Sequence, residues 1–405
     1  MRKAPLATIA ALVAVGVTSL GAVPAASADP GTSDPWVYGW GNNASGQLGN
    51  GSTTSANSPG QVLGLRRQDV TSLSTGGNET AATNSFTVAL LKNGTLKSWG
   101  NNQYGQLGNG TTTAQNVAGS VVGLTGVRAM DVGCFHGVAL RGGRVWTWGR
   151  NDSGQLGDGR PLPATVTTAT PELSSTVPVE VQSLDRVKAV AAGCYFTMAL
   201  REDGTVWTWG NNASGQLGNG TNIRANTPQQ VQGLSDVEAI DAGAWHALAV
   251  TKDHKVMSWG YNADGELGDD SPTTTNSNKP VEVKHLASVA RVFAGPYNTF
   301  ALLADGQVKA WGRNNYGQLG DTTTTNRTTP HPVAALSGAR EISPGSLHTL
   351  AVLEDQSVIA LGRNDQGQLG NGTTTDSRVP VTVLPAGSGV VHVAGGQGTP
   401  VSFAY

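Results

Sequence analysis

Three histidines hold the same place in a recurring pattern. His136, His246 and His348 each follow a Gly-x-x step and precede a short apolar run. A repeated imidazole could act as a general base or a metal ligand. At the corresponding positions, however, the chain carries Phe86, Phe196 and Asn298. Phenylalanine neither ligates a metal nor moves a proton, so the position reads as packing. His254, His285, His331 and His392 are scattered, and no HExxH, clustered Cys/His spacing or G-x-S-x-G elbow occurs. Asp203 and Asp305 stand in Asp-Gly steps, which are turn signals. Paired carboxylates brought together only by folding stay open, because that chemistry needs spatial proximity and no local motif. The expectation is a non-enzyme without metal or cofactor.

The two cysteines, Cys134 and Cys194, are each the second residue of a Gly-Cys-aromatic step. They hold equivalent places in neighbouring units. Two readings stand: a bridge between adjacent units, or two thiols whose Cα atoms lie beyond bridging distance.

These residues are positioned by a repeat. The decapeptide NNASGQLGNG occupies 42–51 and returns unchanged at 211–220. Its GQLG core recurs at Gly46, Gly105, Gly154, Gly215, Gly265 (as GELG), Gly317 and Gly367. Six copies follow Trp-Gly, at Trp40, Trp99, Trp148, Trp209, Trp259 and Trp311, and the seventh follows Leu361-Gly362. The period is about 53 residues, so seven units use the chain from Asp29 to its last residue. Each unit contains a hairpin. In Phe196–Gly210, Asp203-Gly204 makes the turn, and Trp207 and Trp209 share one strand face while Val206 and Thr208 share the other. A strand precedes each hairpin (Val187–Ala192, Val237–Ala242, Ala287–Phe293), and a Pro-x-x-Val strand follows the GQLG turn (Pro228–Val231, Pro280–Val283, Pro380–Val383).

Four antiparallel strands repeated seven times predict an all-β fold, a seven-bladed β-propeller. The tail Val390–Tyr405 looks like the first two strands of a unit, and Trp36–Gly41 is a Trp-Gly strand with none before it. Together they should make one shared blade that closes the ring. The GQLG segment then reads as a tight turn with its leucine tucked between blades.

Composition agrees. The chain has 55 Gly and 19 Pro but only 13% charged residues, which suits turns and short strands better than long helices. The formal net charge is −2 and no basic run occurs, which argues against nucleic acid as a partner. The N-terminus has a basic pair (Arg2, Lys3), an apolar stretch Ala7–Val17 and Ala26-Ser27-Ala28. Residues 1–28 therefore read as a signal peptide, and 29–405 as a single secreted, extracellular propeller domain. The apolar stretch is short for a membrane span.

The pattern WGxNxxGQLGxG, preceded by Gly-x-x-His-x-x-Ala-Leu and Asp-Gly, resembles the regulator of chromosome condensation repeat family over essentially the whole mature chain. The family's founding role is guanine-nucleotide exchange on a nuclear GTPase with chromatin binding. An exported, mildly acidic chain without a basic tail does not fit that role. Secreted actinobacterial propellers with this repeat include a proteinaceous β-lactamase inhibitor. That resemblance implies a protein target lying across one end of the ring, on aromatics in the loops between first and second strands. Here those loops read GCFHG, GCYFT, GAWHA, GPYNT and GSLHT, and their third positions are Phe135, Tyr195, Trp245, Tyr297 and Leu347. Clustered aromatics at an exposed rim suit a binding hot spot. The readings weighed against it are rings that merely fill the channel mouth, a carbohydrate-binding propeller using the same rings, and an enzyme with a channel-mouth site. A monomer is expected, since a closed ring leaves no terminal blade face exposed.

Overall fold

The computed structural model describes residues 35–78, 81–163, 173–271 and 273–405, with the side chains of 81–83 excepted. The signal-peptide segment lies outside the described residues. Those described form seven four-stranded antiparallel sheets and no α-helix. No helix among them is long and apolar enough to cross a membrane.

Six sheets are blades written in chain order. From the channel outward, blade 1 is Val70–Asn78, Ala81–Leu91, Leu96–Gly100 and Gln115–Ser120. Blade 2 begins with Ala129–Val132 and His136–Arg141, blade 3 with Val187–Ala192 and Phe196–Arg201, and blade 4 with Val237–Ala242 and His246–Thr251. Blade 5 begins with Val289–Ala294 and Asn298–Leu303, and blade 6 with Ala339–Pro344 and His348–Leu353. Blade 7 closes the ring. Val393–Gly395 and Val401–Ala404 supply its inner strands, and Trp36–Gly41 and Ala56–Arg66 its outer ones. The shared blade is thus as the half-units at the two ends predict.

Each blade is hydrophobic on both faces, so each must stack on two neighbours. Seven apolar clusters result, one per interface. Between blades 3 and 4, Val206, Leu217 and Val231 meet Val237, Ile240 and Trp259. Between blades 2 and 3, Trp209 is buried and Trp207 packs beside it, on the face opposite Val206, as the period-two alternation requires. Each Trp-Gly tryptophan also latches backward. The indole N–H groups of Trp40, Trp99, Trp148, Trp209, Trp259 and Trp311 donate to the carbonyl of the Gln or Glu in the preceding blade's GQLG turn, at 2.7–3.0 Å. The turn is held from within by its asparagine. Asn212 Oδ1 accepts from Leu217 N, and Asn212 Nδ2 donates to the Thr221 and Ile223 carbonyls. This is what the recurring GQLG segment does: it ends a strand, buries Leu217 and offers a carbonyl to the next tryptophan.

Two strand boundaries differ from expectation. The outermost strands start before the proline, at Ala225–Gln230, Ser277–Glu282 and Ser377–Leu384. Pro228, Pro280 and Pro380 lie inside them. An outer strand needs no donor on its free side, so proline is tolerated there and blunts the exposed edge. The innermost strand of blade 5 is Val289–Ala294, two residues later than its apolar run suggested, where pairing with Asn298–Leu303 begins.

Candidate binding face

The loops joining first to second strands and the GQLG turns lie on the same end of the ring. Their glycines set the loop path. A Cβ on Gly193 would run into the Phe196 ring, and one on Gly243 into the His246 ring. The chain therefore turns tightly and lifts the third loop residue to the channel mouth. That residue's carbonyl then accepts the N–H of the residue after Trp-Gly: Arg150 N to Phe135 O, Asn211 N to Tyr195 O, Tyr261 N to Trp245 O, Arg313 N to Tyr297 O and Arg363 N to Leu347 O, all at 2.8–3.0 Å. Two concentric rows of side chains follow from this ladder.

The structure brings three of the five sequence-predicted residues into one stacked run with a fourth ring that sequence reasoning missed. Tyr104 meets Phe135 edge-on at 5.6 Å, Phe135 meets Tyr195 at 5.6 Å, and Tyr195 meets Trp245 at 5.4 Å. Beneath them Cys134 and Cys194 are joined as a disulfide with Cα atoms 4.3 Å apart, in one cluster with Ala244. The bridge ties blade 2 to blade 3 at the mouth. Phe135 is only 2% exposed and Leu347 7%. Both sit below the surface because the short loops draw them into the mouth, so they back the face instead of offering contact area. Tyr195, Trp245 and Tyr297 are half-buried, so part of each ring stays exposed.

The second row was also missed. Arg150 lies over the rings of Tyr104, Phe135 and Tyr195 at 4.9–5.2 Å, and its Nε donates to Asp152 at 2.8 Å. Burial alone would lower the guanidinium's pKa, but the Asp152 contacts outweigh it and raise it. Burial also pushes the Tyr195 and Tyr261 phenols up, so they remain neutral. Arg313 stacks 3.9 Å above Tyr297 and pairs with Asp264 at 2.7 Å. Arg363 stacks 5.3 Å from Tyr316 and pairs with Asp365 at 2.6 Å. Each arginine is held by a carboxylate and a ring, which makes the face rigid and close to neutral. The signal was present in the sequence: Arg150, Arg313 and Arg363 are the residue directly after Trp-Gly or Leu-Gly, with tyrosine there in blade 4.

The repeated histidines are structural. His136 Nε2 lies 2.9 Å from Thr197 Oγ1, His246 Nε2 3.1 Å from Thr299 Oγ1, and His348 Nε2 2.8 Å from Ser402 Oγ, each in the next blade. Thr197 and Ser402 in turn donate to Gln155 and Gln368 carbonyls. The imidazoles of His136 and His348 therefore donate from Nε2. Burial lowers the pKa of the three histidines to about 3, 4 and 3, so they are neutral. Among the described residues no group of three or more His, Cys, Asp or Glu converges as a metal site.

Comparison with known proteins identifies the architecture. An RCC1-like domain model matches residues 141–404, and the regulator of chromosome condensation (RCC1) repeat matches 36–83 and 93–140. The chain belongs to the RCC1 repeat family. It is 30% identical over 290 residues to the ultraviolet-B receptor UVR8 of Arabidopsis thaliana, covering 70% of this chain and 62% of the receptor. It is 29% identical over 189 residues to the human E3 ubiquitin-protein ligase HERC2, covering 46% of this chain but 4% of the ligase. Among solved structures, the RCC1-type propellers human WBSCR16 (TM-score 0.78, 23% identity, 92% of this chain and 98% of that one) and Saccharomyces cerevisiae Prp20p (0.77, 22%, 92% and 91%) share the fold.

Proposed function

We propose that this RCC1-repeat propeller is a secreted, monomeric, non-enzymatic binding protein that docks a protein target on its aromatic–arginine face, and that the target is an extracellular or cell-wall enzyme such as a β-lactamase. One observation carries the reading: the run Tyr104–Phe135–Tyr195–Trp245, packed ring against ring and backed by Arg150. Tyrosine, tryptophan and arginine, pre-organised on a rigid scaffold, are the side chains that dominate binding energy at protein interfaces. Prp20p, with the same fold, is described by its binding to Gsp1p and histones. That likeness in kind supports a protein ligand over a sugar.

The test is an affinity capture from culture supernatant and cell-wall extract, with purified β-lactamase as a defined probe. Parent protein is compared with the Tyr195→Ala/Trp245→Ala double variant. The expected outcome is a saturable protein ligand whose affinity falls at least about 30-fold, corresponding to about 2 kcal/mol, in the variant. Unchanged capture would move the site off this face. Retention on wall polysaccharide, competed by soluble sugar, would replace the protein reading with a carbohydrate one.

A further inference from the structure

The central channel widens into a cavity of about 130 Å³. At the aromatic end it is crossed by Gln397. Its backbone N donates to the Thr75 carbonyl on blade 1, and its Nε2 reaches the Ala242 carbonyl on blade 4 at 3.1 Å. The wall carries Asp131 and Asp241 at the same position of the innermost strands of blades 2 and 4. Two residues earlier, toward the opposite end, it carries Arg291, Glu341, His392 and Ser72 on blades 5, 6, 7 and 1.

The two aspartates have a structural duty. Asp131 accepts from Ser74 Oγ and from the backbone N–H of Val132 and Ala192. Asp241 accepts from the N–H of Ala242 and Ala294. Each thereby covers a donor on the inner edge of the next blade, which no strand pairs. That duty does not require a charge. Blade 6 has Ser343 at the same position, and its hydroxyl accepts from Gly395 N at 2.8 Å. Two carboxylates where a hydroxyl suffices leave the enclosure with a surplus of negative charge. Three carboxylates face one guanidinium, that of Arg291, and the imidazole of His392, which is bound to Glu341 at 2.9 Å. A second feature points the same way. Ser72 lines the cavity, is 6% exposed, and its Oγ has no partner.

We infer that the channel holds a small organic cation carrying N–H groups, an ammonium or guanidinium, bound by Asp131 and Asp241 with Ser72 Oγ as a further acceptor. The space exceeds one water and suits a ligand of a few heavy atoms. The donor set suits such a cation better than a divalent metal, because no three His, Cys, Asp or Glu converge among the described residues. Entry is from the end opposite the aromatic face, since Gln397 spans the other. Burial holds the carboxyl protons of Asp131 to about 6 and of Asp241 to about 7, the latter helped by the charge of Asp131. Binding at neutral pH therefore displaces a proton from Asp241. Arg291, Glu341, His392 and Tyr405 are the other titratable or charged groups facing the site.

The experiment uses the full chain with methylammonium, guanidinium and, as a control without N–H, tetramethylammonium. Titration calorimetry is run in two buffers of different ionisation enthalpy, at matched ionic strength. The comparison variant is Asp131→Ser/Asp241→Ser, which copies Ser343 and keeps the strand edges covered. Asp241→Asn serves as the second variant should the double one fail to fold. Saturable binding of the first two cations with proton release at pH 7, weakened at least about tenfold in the folded variant, is the expected result. No saturable heat with the parent, binding equal in parent and folded variant, or equal response to tetramethylammonium would overturn the inference and leave the aspartates as edge caps only. The aromatic-face variants do not touch this site, so the outcome is separate from that of the protein-capture test.

Discussion

At Asn298 the ring departs from a pairing that five other blades keep, the remaining one placing Val401 against Thr87 of blade 1. Where a blade has His, the next blade offers a hydroxyl: His136 with Thr197, His246 with Thr299, His348 with Ser402. Where a blade has Phe86 or Phe196, the next blade has Gly137 or Ala247 at the hydroxyl position, each paired across the strand with its own tryptophan. Asn298 is fully buried and faces a blade that does carry the hydroxyl, Thr349, yet neither its Oδ1 nor its Nδ2 has a partner. Thr349 already donates to the Gln318 carbonyl at 2.8 Å, as Thr197 does to Gln155. The longer imidazole would reach it. Asn298→His should therefore stabilise the fold by about 1 kcal/mol in urea unfolding at pH 7. The new group would be buried neutral, with a folded pKa below its unfolded one. Its gain should be full above about 6.5 and shrink as pH falls, because only the unfolded chain takes up the proton. A destabilised variant would refute the pairing rule.

Among the turns, the residue that ends each GQLG segment adopts a left-handed backbone. Gly51, Gly110, Gly159, Gly220 and Gly372 have φ of 75–82°, and their N–H groups donate to the outer strand of the next blade. Blades 4 and 5 place Asp270 (φ 61°) and Thr322 (φ 67°) there instead. A β-branched residue in this region is strained. Thr322→Gly should raise stability by about 1 kcal/mol, read as a higher urea midpoint with unchanged slope. A lowered midpoint would mean that Thr322 makes a contact worth more than its strain. This level was the most legible in the sequence. The GQLG turn recurs in all seven units and the Trp-Gly step in six, with Leu361-Gly362 in the seventh, so one good reading serves many times. The aromatic loops were legible as positions and not as exposures, because burial of Phe135 and Leu347 depends on how far each loop sinks into the mouth. The Arg150, Arg313 and Arg363 row repeats as plainly as the histidines but gains meaning only once two loops are known to share one end. The Cys134–Cys194 bridge and the Gln397 crossing depend on distances between blades, which no spacing along the chain encodes.

Across the whole ring, buried titratable groups pull stability in opposite directions. The three histidines, held to about 3–4 in the fold, favour the folded state fully above 6.5 and cost stability as pH falls below that. Asp131, Asp241 and Glu266 are pushed by burial to about 6, 7 and 8, so the folded state keeps protons that the unfolded chain has already released. Their contribution is full below about 4 and is lost as pH rises through those values. The slopes offset one another between about 4.5 and 6, leaving a plateau in weak acid with losses on both sides. Glu266 controls the upper edge. It stands where the other six repeats have glutamine, its Oε2 accepts from Asp264 N, and its Oε1 has no partner. Tyr261 occupies the place where Asn211 accepts the Gln216 amide in blade 3, so a glutamine here would leave its Nε2 unpaired. Gln155 and Gln318, beside Arg150 and Arg313, already have Nε2 atoms in that condition and the ring tolerates them. Glu266→Gln should accordingly leave stability near pH 5 almost unchanged and raise it at pH 8, by roughly 3 kcal/mol. His246→Phe should leave the alkaline side alone and flatten the acid side, at a constant cost for stranding Thr299. Melting curves of the three proteins from pH 3 to 9 decide the matter: parallel profiles would show that these groups do not set the acid and alkaline limits of the ring.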